Sequence, residues 1–129
     1  MLSTYMAVEA TGVGAVDGGQ PKKFLRPCLL LLLKESPAHG YDLLERLREF
    51  DFDRDPGGIY RALRSMEHEG LVRSSWEASY TGPDRRRYEL TPLGEKFLAE
   101  WAGALDDTRR VLVRYLGRYQ AVQPVTEGS

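Results

Sequence analysis

From Pro21 onward, the pattern of apolar and polar residues predicts three helices, a β-hairpin and a long final helix, in that order. The first helix lies in PKKFLRPCLLLLLKE, where Pro27 stands early and apolar residues follow on all sides, as is typical of a helix buried all round. The second helix spans about Gly40 to Phe50. Its apolar stripe consists of Leu43, Leu44, Leu47 and Phe50.

The third helix lies in DPGGIYRALRSMEHEGLV, with Asp55 as N-cap, Pro56 at the first helical position and Gly70 at the end. A helix turns by about 100° per residue, which separates this segment into two faces. The apolar face consists of Ile59, Ala62, Leu63 and Met66. The opposite face carries Gly57, Tyr60, Arg61, Arg64, Ser65 and His68.

Two segments rich in β-forming residues, LVRSSWEAS and RRRYEL, are joined by the turn sequence YTGPD and predict a hairpin. Thr91 then caps a last helix that runs from Pro92 to about Tyr119. Apolar residues recur along it in steps of four and three, a heptad pattern that predicts a seam between two subunits. The seam consists of Phe97, Trp101, Ala104, Thr108, Val111 and Tyr115, and is widened by Leu98, Leu105, Leu112 and Leu116.

The domain organisation that follows has four parts. Residues 1–20 lack sustained periodicity and predict a mobile N-terminal tail, residues 21–91 form the helices and hairpin, residues 92–119 form the dimerisation helix, and residues 120–129 form a polar tail. A chain of 129 residues supports one modest core, and such small folds often gain stability from a partner. We therefore expect one domain, assembled as an oligomer.

Charge and cysteine content exclude several classes of protein. The 18 basic residues balance 19 acidic ones, so a nucleic-acid site has to come from local clustering. The single cysteine, Cys28, excludes an internal disulfide, and His39 and His68 stand far apart, so we expect no metal and no cofactor. The apolar run that begins at Cys28 is too short to span a bilayer, and we expect a cytoplasmic, nucleoid-associated protein.

The polar face of the third helix has the chemistry to bind DNA. Arginine binds guanine O6 and N7, or a phosphate, and a helix bearing Arg61 and Arg64 fits the major groove. Gly57 and Gly58 lack a Cβ and would let DNA approach the first turn, whose free N–H groups suit phosphate. In the alternative interpretation, the two glycines relieve crowding against a neighbouring helix.

The hairpin adds Arg85, Arg86 and Arg87 just after its turn. Strand alternation sends Arg85 and Arg87 to one side and Arg86 to the other. A basic loop after a groove-sized helix favours a winged helix-turn-helix, so the fold class is mainly α with a small β-hairpin. The alternative is that these arginines pair with Glu77, Asp84 and Glu89.

The sequence resembles the PadR family of bacterial winged-helix transcriptional regulators. The resemblance lies in the leucine-rich first helix, HGYDLLERL, DPGGIYRALRSMEHEGLV and GPDRRRYELTPLGEKFL, and covers about residues 24–119. More narrowly, KKFLRPCLLLLLKE, DPGGIYRALRSME and SSWEASYTGPDRRRYELT look like the branch described as poly-β-hydroxybutyrate-responsive repressors. The resemblance implies a homodimeric repressor that releases a pseudo-palindromic operator when a ligand, often aromatic, binds near the dimer interface.

The family motifs match this sequence at a limited set of positions. The matching residues are His39, Gly40 and Tyr41 at the start of the second helix, Tyr60 and Leu63 in the recognition helix, and Arg86, Arg87 and Tyr88 in the second wing strand. We therefore predict DNA contacts from His39, Tyr41, Gly57, Tyr60, Arg61, Arg64, Ser65, His68, Arg85, Arg86 and Arg87.

The expected function is a dimeric, sequence-specific transcriptional regulator, a ligand-responsive repressor. The predicted dimer or ligand interface consists of Phe97, Trp101, Leu105, Thr108, Val111, Leu112 and Tyr115. Trp101 either stacks on a flat effector or belongs to the interface core. The alternative function is a protein-interaction adaptor on the same scaffold, which Asp51, Asp53 and Asp55 near the recognition helix favour. An enzyme is not expected, because no arrangement of catalytic residues is evident.

Overall fold

The computed structural model describes residues 16–17, 20–21, 23–50, 52 and 56–124. Strands β1 and β2 are residues Val16–Asp17 and Gln20–Pro21. The helix-turn-helix part contains α1 (Leu25–Glu35), β3 (Ala38–His39), α2 (Gly40–Arg46), a 3-10 turn (Leu47–Phe50) and α3 (Pro56–His68). Strands β4 (Val72–Glu77) and β5 (Arg85–Leu90) form the hairpin, and α4 (Pro92–Val122) follows.

The described residues confirm the predicted fold class, mainly helical with a small antiparallel sheet. The sheet has three strands in the order β3-β5-β4, because Ala38 and His39 pair with Tyr88 and Arg87. Strand β3 was not predicted, since two residues are too short to show alternation. The hairpin itself pairs from Val72 with Leu90 to Glu77 with Arg85.

Two predicted helix ends are wrong. The second helix ends at Arg46 and its last four predicted residues form a 3-10 turn, a common way for a helix to end. The last helix continues to Val122 rather than Tyr119, since Gln120 and Ala121 are good helix formers and Pro124 follows. The predicted polar tail therefore begins inside α4. At the other end of the chain, β1 and β2 form a short antiparallel pair where the predicted tail meets Pro21.

The hydrophobic core lies between α1, helices α2 and α3, and the three-stranded sheet. Helix α1 is buried on most sides, as predicted, although Leu31 is exposed. The apolar face of α3 contributes Ile59, Leu63 and Met66. The other buried members of the core cluster are Cys28, Leu29, Leu30, Leu32, Leu33, Ala38, Leu43, Leu47, Phe52, Leu71, Val72 and Tyr88. Burial raises the pKa of the Cys28 thiol to about 12, as expected for an inert core cysteine.

The junction between α3 and α4 is held by Thr91, which caps α4 as predicted. Its Oγ1 accepts a hydrogen bond from the Gly94 amide at 3.0 Å and donates to the Gly70 carbonyl at 2.6 Å. The Thr91 amide donates to the Leu71 carbonyl at 3.1 Å. Gly70 itself has a φ of +83°, which suits glycine after a helix end. The turn after α3 and the start of α4 are thus joined by backbone and side-chain bonds.

The chain divides into two compact units. One comprises residues 23–101 and holds α1 to α3, the three-stranded sheet and the first part of α4. The part of α4 from Ala102 onward belongs to the other unit. Most of the predicted N-terminal tail, the predicted N-cap Asp55, and Asp51 and Asp53 lie outside the described residues. Among the described helices, none is both long and apolar enough to cross a membrane.

Candidate nucleic-acid interface

Helix α3 has a buried apolar face and an exposed polar face, as its sequence pattern predicts. Arg61, Arg64, Ser65 and His68 are exposed. Neither Arg61 nor Arg64 forms an ion pair with any residue that the structure describes. The Ser65 hydroxyl donates to Glu69 Oε2 at 3.1 Å. The two arginines are therefore available to bind an external acceptor.

Gly57 and Gly58 lie in the first turn of α3, and both are half-buried. Their predicted role in letting DNA approach this turn stays a prediction.

Tyr60 packs at the point where α3 meets the start of α2. Gly40 is buried there, and a Cβ at this position would overlap the Tyr60 ring, so the glycine makes room for the aromatic side chain. A shallow cavity of about 160 Å³ opens beside this contact. Its lining joins β3, α2, α3 and the wing, which is the hairpin of β4 and β5, and consists of His39, Gly40, Tyr41, Tyr60, Arg85, Arg86 and Tyr88. Five predicted DNA-binding residues thus come together from β3, α2, α3 and the wing.

The three wing arginines divide between the two faces of the hairpin. Arg86 stands opposite Trp76, next to the pair formed by Ser74 and the buried Tyr88, so it shares the face that continues into the core. Arg85 and Arg87 lie on the other face, opposite Glu77 and Ser75. This is the alternation that the sequence predicts.

Arg85 and Arg87 are exposed and have no ion-pair partner within the described residues. Arg86 is held by the protein: its Nε donates to Ser74 Oγ at 2.8 Å and its Nη2 lies 3.5 Å from Glu67 Oε1. The predicted alternative, pairing of these arginines with Glu77, Asp84 and Glu89, is not seen among the described ion pairs. Glu89 pairs with Arg73, and Glu77 contacts His39.

His39 lies between two carboxylates at the start of α2. Its Nδ1 is 3.3 Å from Asp42 Oδ2, and its Nε2 is 3.2 Å from Glu77 Oε2 on β4. The imidazole can donate to both carboxylates when both ring nitrogens carry protons. His39, a predicted DNA contact, therefore also connects the helix-turn-helix to the wing. Tyr41, two residues on, is exposed.

The Tyr88 phenol marks where α3 and the wing meet. Burial raises its pKa above the ordinary value, nearby Arg86 and Arg64 act in the opposite direction, and Glu67 and Tyr60 reinforce the rise. Charged groups from both α3 and β5 therefore act on the Tyr88 hydroxyl.

Sequence reasoning missed Glu67, Ser74 and Trp76 as neighbours of the wing arginines. The available signal was strand alternation, which places Ser74 and Trp76 on the face of Arg86 once the register is known.

Along α4, the predicted interface residues fall into a buried and an exposed group. Trp101 and Ala104 are buried, while Phe97, Leu105 and Thr108 are half-buried. The Thr108 hydroxyl has no hydrogen-bond partner among the described residues. From Val111 onward the apolar side chains are 51–78% exposed. These exposed residues are Val111, Leu112, Val113, Tyr115, Leu116, Tyr119 and Val122.

An open groove of about 480 Å³ lies on this exposed part of α4. Its lining combines aromatic rings with guanidinium groups and consists of Val111, Arg114, Tyr115, Arg118, Tyr119 and Val122. Trp101, the predicted stacking platform, does not line it.

Residues 29–100 match the model of the transcriptional regulator PadR-like family. The chain belongs to this family. The matched segment contains the helix-turn-helix, the wing and the start of α4, and so every predicted DNA-binding residue. PadR-like proteins are transcriptional regulators rather than enzymes, which confirms the prediction that this chain is not an enzyme. The described residues also contain no group of three or more His, Cys, Asp or Glu that could hold a metal ion.

Individual relatives agree with the family assignment. The probable transcriptional regulator Rv1176c of Mycobacterium tuberculosis is 34% identical in an alignment of 90 residues that covers 63% of this chain and 45% of that protein. The chain thus spans about half the length of this curated relative.

Solved structures resemble the fold. The protein TM0937, described as a potential transcriptional factor, has 36% identity and a TM-score of 0.67 over 77% of this chain and 90% of its own. Bacillus subtilis PadR, crystallised with operator DNA, has 23% identity and a TM-score of 0.57 over 84% of this chain and 54% of its own. At that identity, the second likeness concerns the fold alone.

Proposed function

We propose that this PadR-like protein is a homodimeric, sequence-specific repressor that binds a pseudo-palindromic operator and acts in the cytoplasm, at the nucleoid. In this proposal, α3 of each subunit enters a major groove, and the wing and the start of α2 contact the adjacent backbone. The observation that carries the proposal is that Arg61 and Arg64 are exposed and have no ion-pair partner among the described residues, on a helix whose opposite face is anchored in the core.

The neighbouring residues support a DNA partner. Arg85 and Arg87 add two exposed guanidinium groups on the wing, and Tyr41 and Tyr60 add phenols beside them. Hydroxyl and guanidinium donors of this kind make most of their contacts with phosphate oxygens, which fix the register of a protein on the duplex. We assign His68, near the end of α3, to the same surface. The crystallisation of the related Bacillus subtilis protein with operator DNA agrees with this partner.

The exposed part of α4 supports a dimer. Apolar side chains at Val111, Leu112, Tyr115 and Leu116 lie within one arc of the helix and are more than half exposed. Contiguous exposed apolar surface of this kind marks an interaction site. We propose that α4 pairs with a second copy through the seam that also contains Phe97, Trp101, Leu105 and Thr108.

An effector would bind close to the same seam. The groove on α4 offers Tyr115 and Tyr119 for stacking and Arg114 and Arg118 for an anionic group, which suits a small aromatic acid. Responsiveness to poly-β-hydroxybutyrate is supported by the sequence segments of the first helix, recognition helix and wing. We propose that ligand binding releases the operator.

The test uses duplexes that the wild-type protein selects from a random-sequence pool. We expect enrichment of a two-fold symmetric sequence, and Arg64→Ala to weaken binding by about 1–3 kcal/mol mainly on that sequence, if Arg64 reads a base. Ala is a good helix former, so α3 is retained. An equal loss on every sequence would reassign Arg64 to phosphate. A pool without enrichment would contradict the proposal and favour the protein-interaction adaptor.

A further inference from the structure

Arg86, unlike its two neighbours in the wing, forms polar contacts with two other side chains of the protein, Ser74 and Glu67. Its Nε donates to Ser74 Oγ at 2.8 Å, and the Ser74 hydroxyl donates to Glu67 Oε2 at 2.6 Å. The other carboxylate oxygen, Oε1, lies 3.5 Å from Arg86 Nη2. The Ser74 hydroxyl thus accepts from Arg86 and donates to Glu67, and each oxygen of the Glu67 carboxylate has one of these two side chains as its partner.

The aromatic ring of Trp76 completes the surroundings of the guanidinium group. Arg86 Cζ lies 5.3 Å from the ring centroid of Trp76, its cross-strand neighbour, within the range of a cation–π contact. Trp76 is 67% exposed, so one face of the indole supports the arginine while much of the ring remains in solvent. The planar guanidinium can stack on the ring and direct hydrogen bonds from its edge, whereas a lysine ammonium has no planar face to stack and no rigid fork of donors.

The network connects the three elements whose relative positions matter for DNA. Glu67 lies near the end of α3, Ser74 and Trp76 lie on β4, and Arg86 lies on β5. The Glu67 side chain is 28% exposed and that of Arg86 is 44% exposed, so the network is only partly screened by water. The hairpin is thereby held against the recognition helix by side-chain contacts of Ser74 and Arg86 with Glu67, in addition to the three-residue connection that follows His68.

We propose that Glu67, Ser74 and Arg86 are positioning residues that fix the angle of the wing against α3, so that Arg85 and Arg87 reach the DNA backbone while α3 occupies the groove. The inference rests on the proposed DNA-binding function and deepens it. It divides the three wing arginines into two that contact DNA and one that holds the hairpin in place.

The decisive substitution removes a negative charge. If charge alone mattered, Glu67→Ala would strengthen DNA binding, because it removes an anion near the interface. If Glu67 positions the wing, Glu67→Ala instead weakens specific binding about three- to tenfold, because one partly exposed polar network is lost. Glu67→Gln keeps an acceptor for Ser74 and restores part of the affinity.

Arginine variants provide the matched comparison. Arg86→Lys keeps the charge, loses the network and lowers specific affinity about as much as Glu67→Ala, while the slope of log affinity against log salt stays unchanged. Arg87→Lys keeps the phosphate-binding charge and loses less affinity than Arg86→Lys, and Arg87→Gln reduces the slope by about one, as expected for one lost phosphate contact. Tight binding by Glu67→Ala and Arg86→Lys, with a slope reduced by about one in Arg86→Gln, would overturn the inference.

A measurement without DNA separates this inference from the proposed function. In the free protein, Glu67→Ala and Arg86→Lys should speed hydrogen exchange of the amides in residues 76–86 several-fold, whereas Arg87→Lys should not. Unchanged exchange in the hairpin would overturn the positioning role whatever the DNA results. If the random pool yields no enriched sequence, the repressor proposal fails, and the exchange rates still decide whether the network fixes the wing.

Discussion

Gly94 shows how closely the backbone segments approach where α4 begins. It is buried, and a Cβ at this position would overlap the Leu71 carbonyl oxygen and crowd the Leu90 side chain. The same carbonyl accepts a hydrogen bond from the Thr91 amide. The absence of a side chain therefore lets α4 start directly against the turn that follows α3.

Gly94→Ala should lower the free energy of unfolding by about 1–3 kcal/mol, because the added methyl group meets backbone that cannot move aside. Gly103→Ala is the matched control in the same helix. A Cβ at Gly103 meets no atom of the described residues within 4 Å, so the substitution should raise helix stability by about 0.5–1 kcal/mol. Urea titration of both variants measures the difference, and equal effects of the two substitutions would contradict the close approach.

The Glu69 carboxylate connects the end of α3 to α1. It pairs with Arg26 and accepts from Ser65, and these contacts hold its pKa below the ordinary value for glutamate. A lowered folded-state pKa contributes stability that is fully present above the unfolded pKa and is lost as the pH falls through the folded one.

Glu69→Gln should therefore destabilise the protein by about 0.5 kcal/mol at neutral pH, a small effect because the pair is partly exposed to water. The difference from wild type should shrink as the pH falls below about 4.3, the ordinary value for glutamate. Thermal unfolding at pH 7 and at pH 3 measures both. A difference that grows toward low pH would contradict the assignment.

The wing arginines show which part of the site a sequence can predict. Strand alternation was sufficient to separate Arg86 from Arg85 and Arg87, since that property depends on local geometry alone. The partners of Arg86 could not be predicted, because Glu67 comes from another element and the pairing depends on how the hairpin packs against α3. Contacts between elements require the tertiary structure.

At the level of elements, periodicity predicted the helices and the hairpin well. In α3 the apolar face defined by Ile59, Leu63 and Met66 is the buried face. Periodicity failed where an element is short or ends gradually, as for β3 and for the 3-10 turn after Arg46. Both depend on pairing and packing with distant residues, which leave no repeat in the local sequence.

Helix α4 carries the proposed interface, and Leu112 lies inside its exposed apolar arc. Leu112→Glu should weaken self-association at least about tenfold, because it removes a leucine whose burial in the proposed interface would be worth about 1.5–3 kcal/mol and introduces a charge there. Ala121→Glu, on the opposite side of the same helix, adds the same charge and should leave association unchanged. Sedimentation equilibrium measures both. A wild-type monomer, or equal effects of the two variants, would contradict the interface.

For the molecule as a whole, the family assignment and the fold agree with the order of elements predicted from sequence. The unit of residues 23–101 contains the exposed arginines of α3 and the wing, and the unit that includes α4 from Ala102 contains the exposed apolar residues of the proposed seam. The proposed DNA contacts and the exposed part of the proposed seam thus lie in different parts of the chain. A two-fold symmetric dimer would require a two-fold symmetric operator.

Hydroxyl-radical footprinting of the wild-type protein on its selected duplex tests the central claim most directly. If two copies of α3 occupy successive major grooves, two symmetric protected segments should appear with centres about 10–10.5 base pairs apart, or a multiple of that spacing. Arg64→Ala should weaken both segments equally. A single unsymmetrical protected segment, or no protection at low salt, would contradict the account.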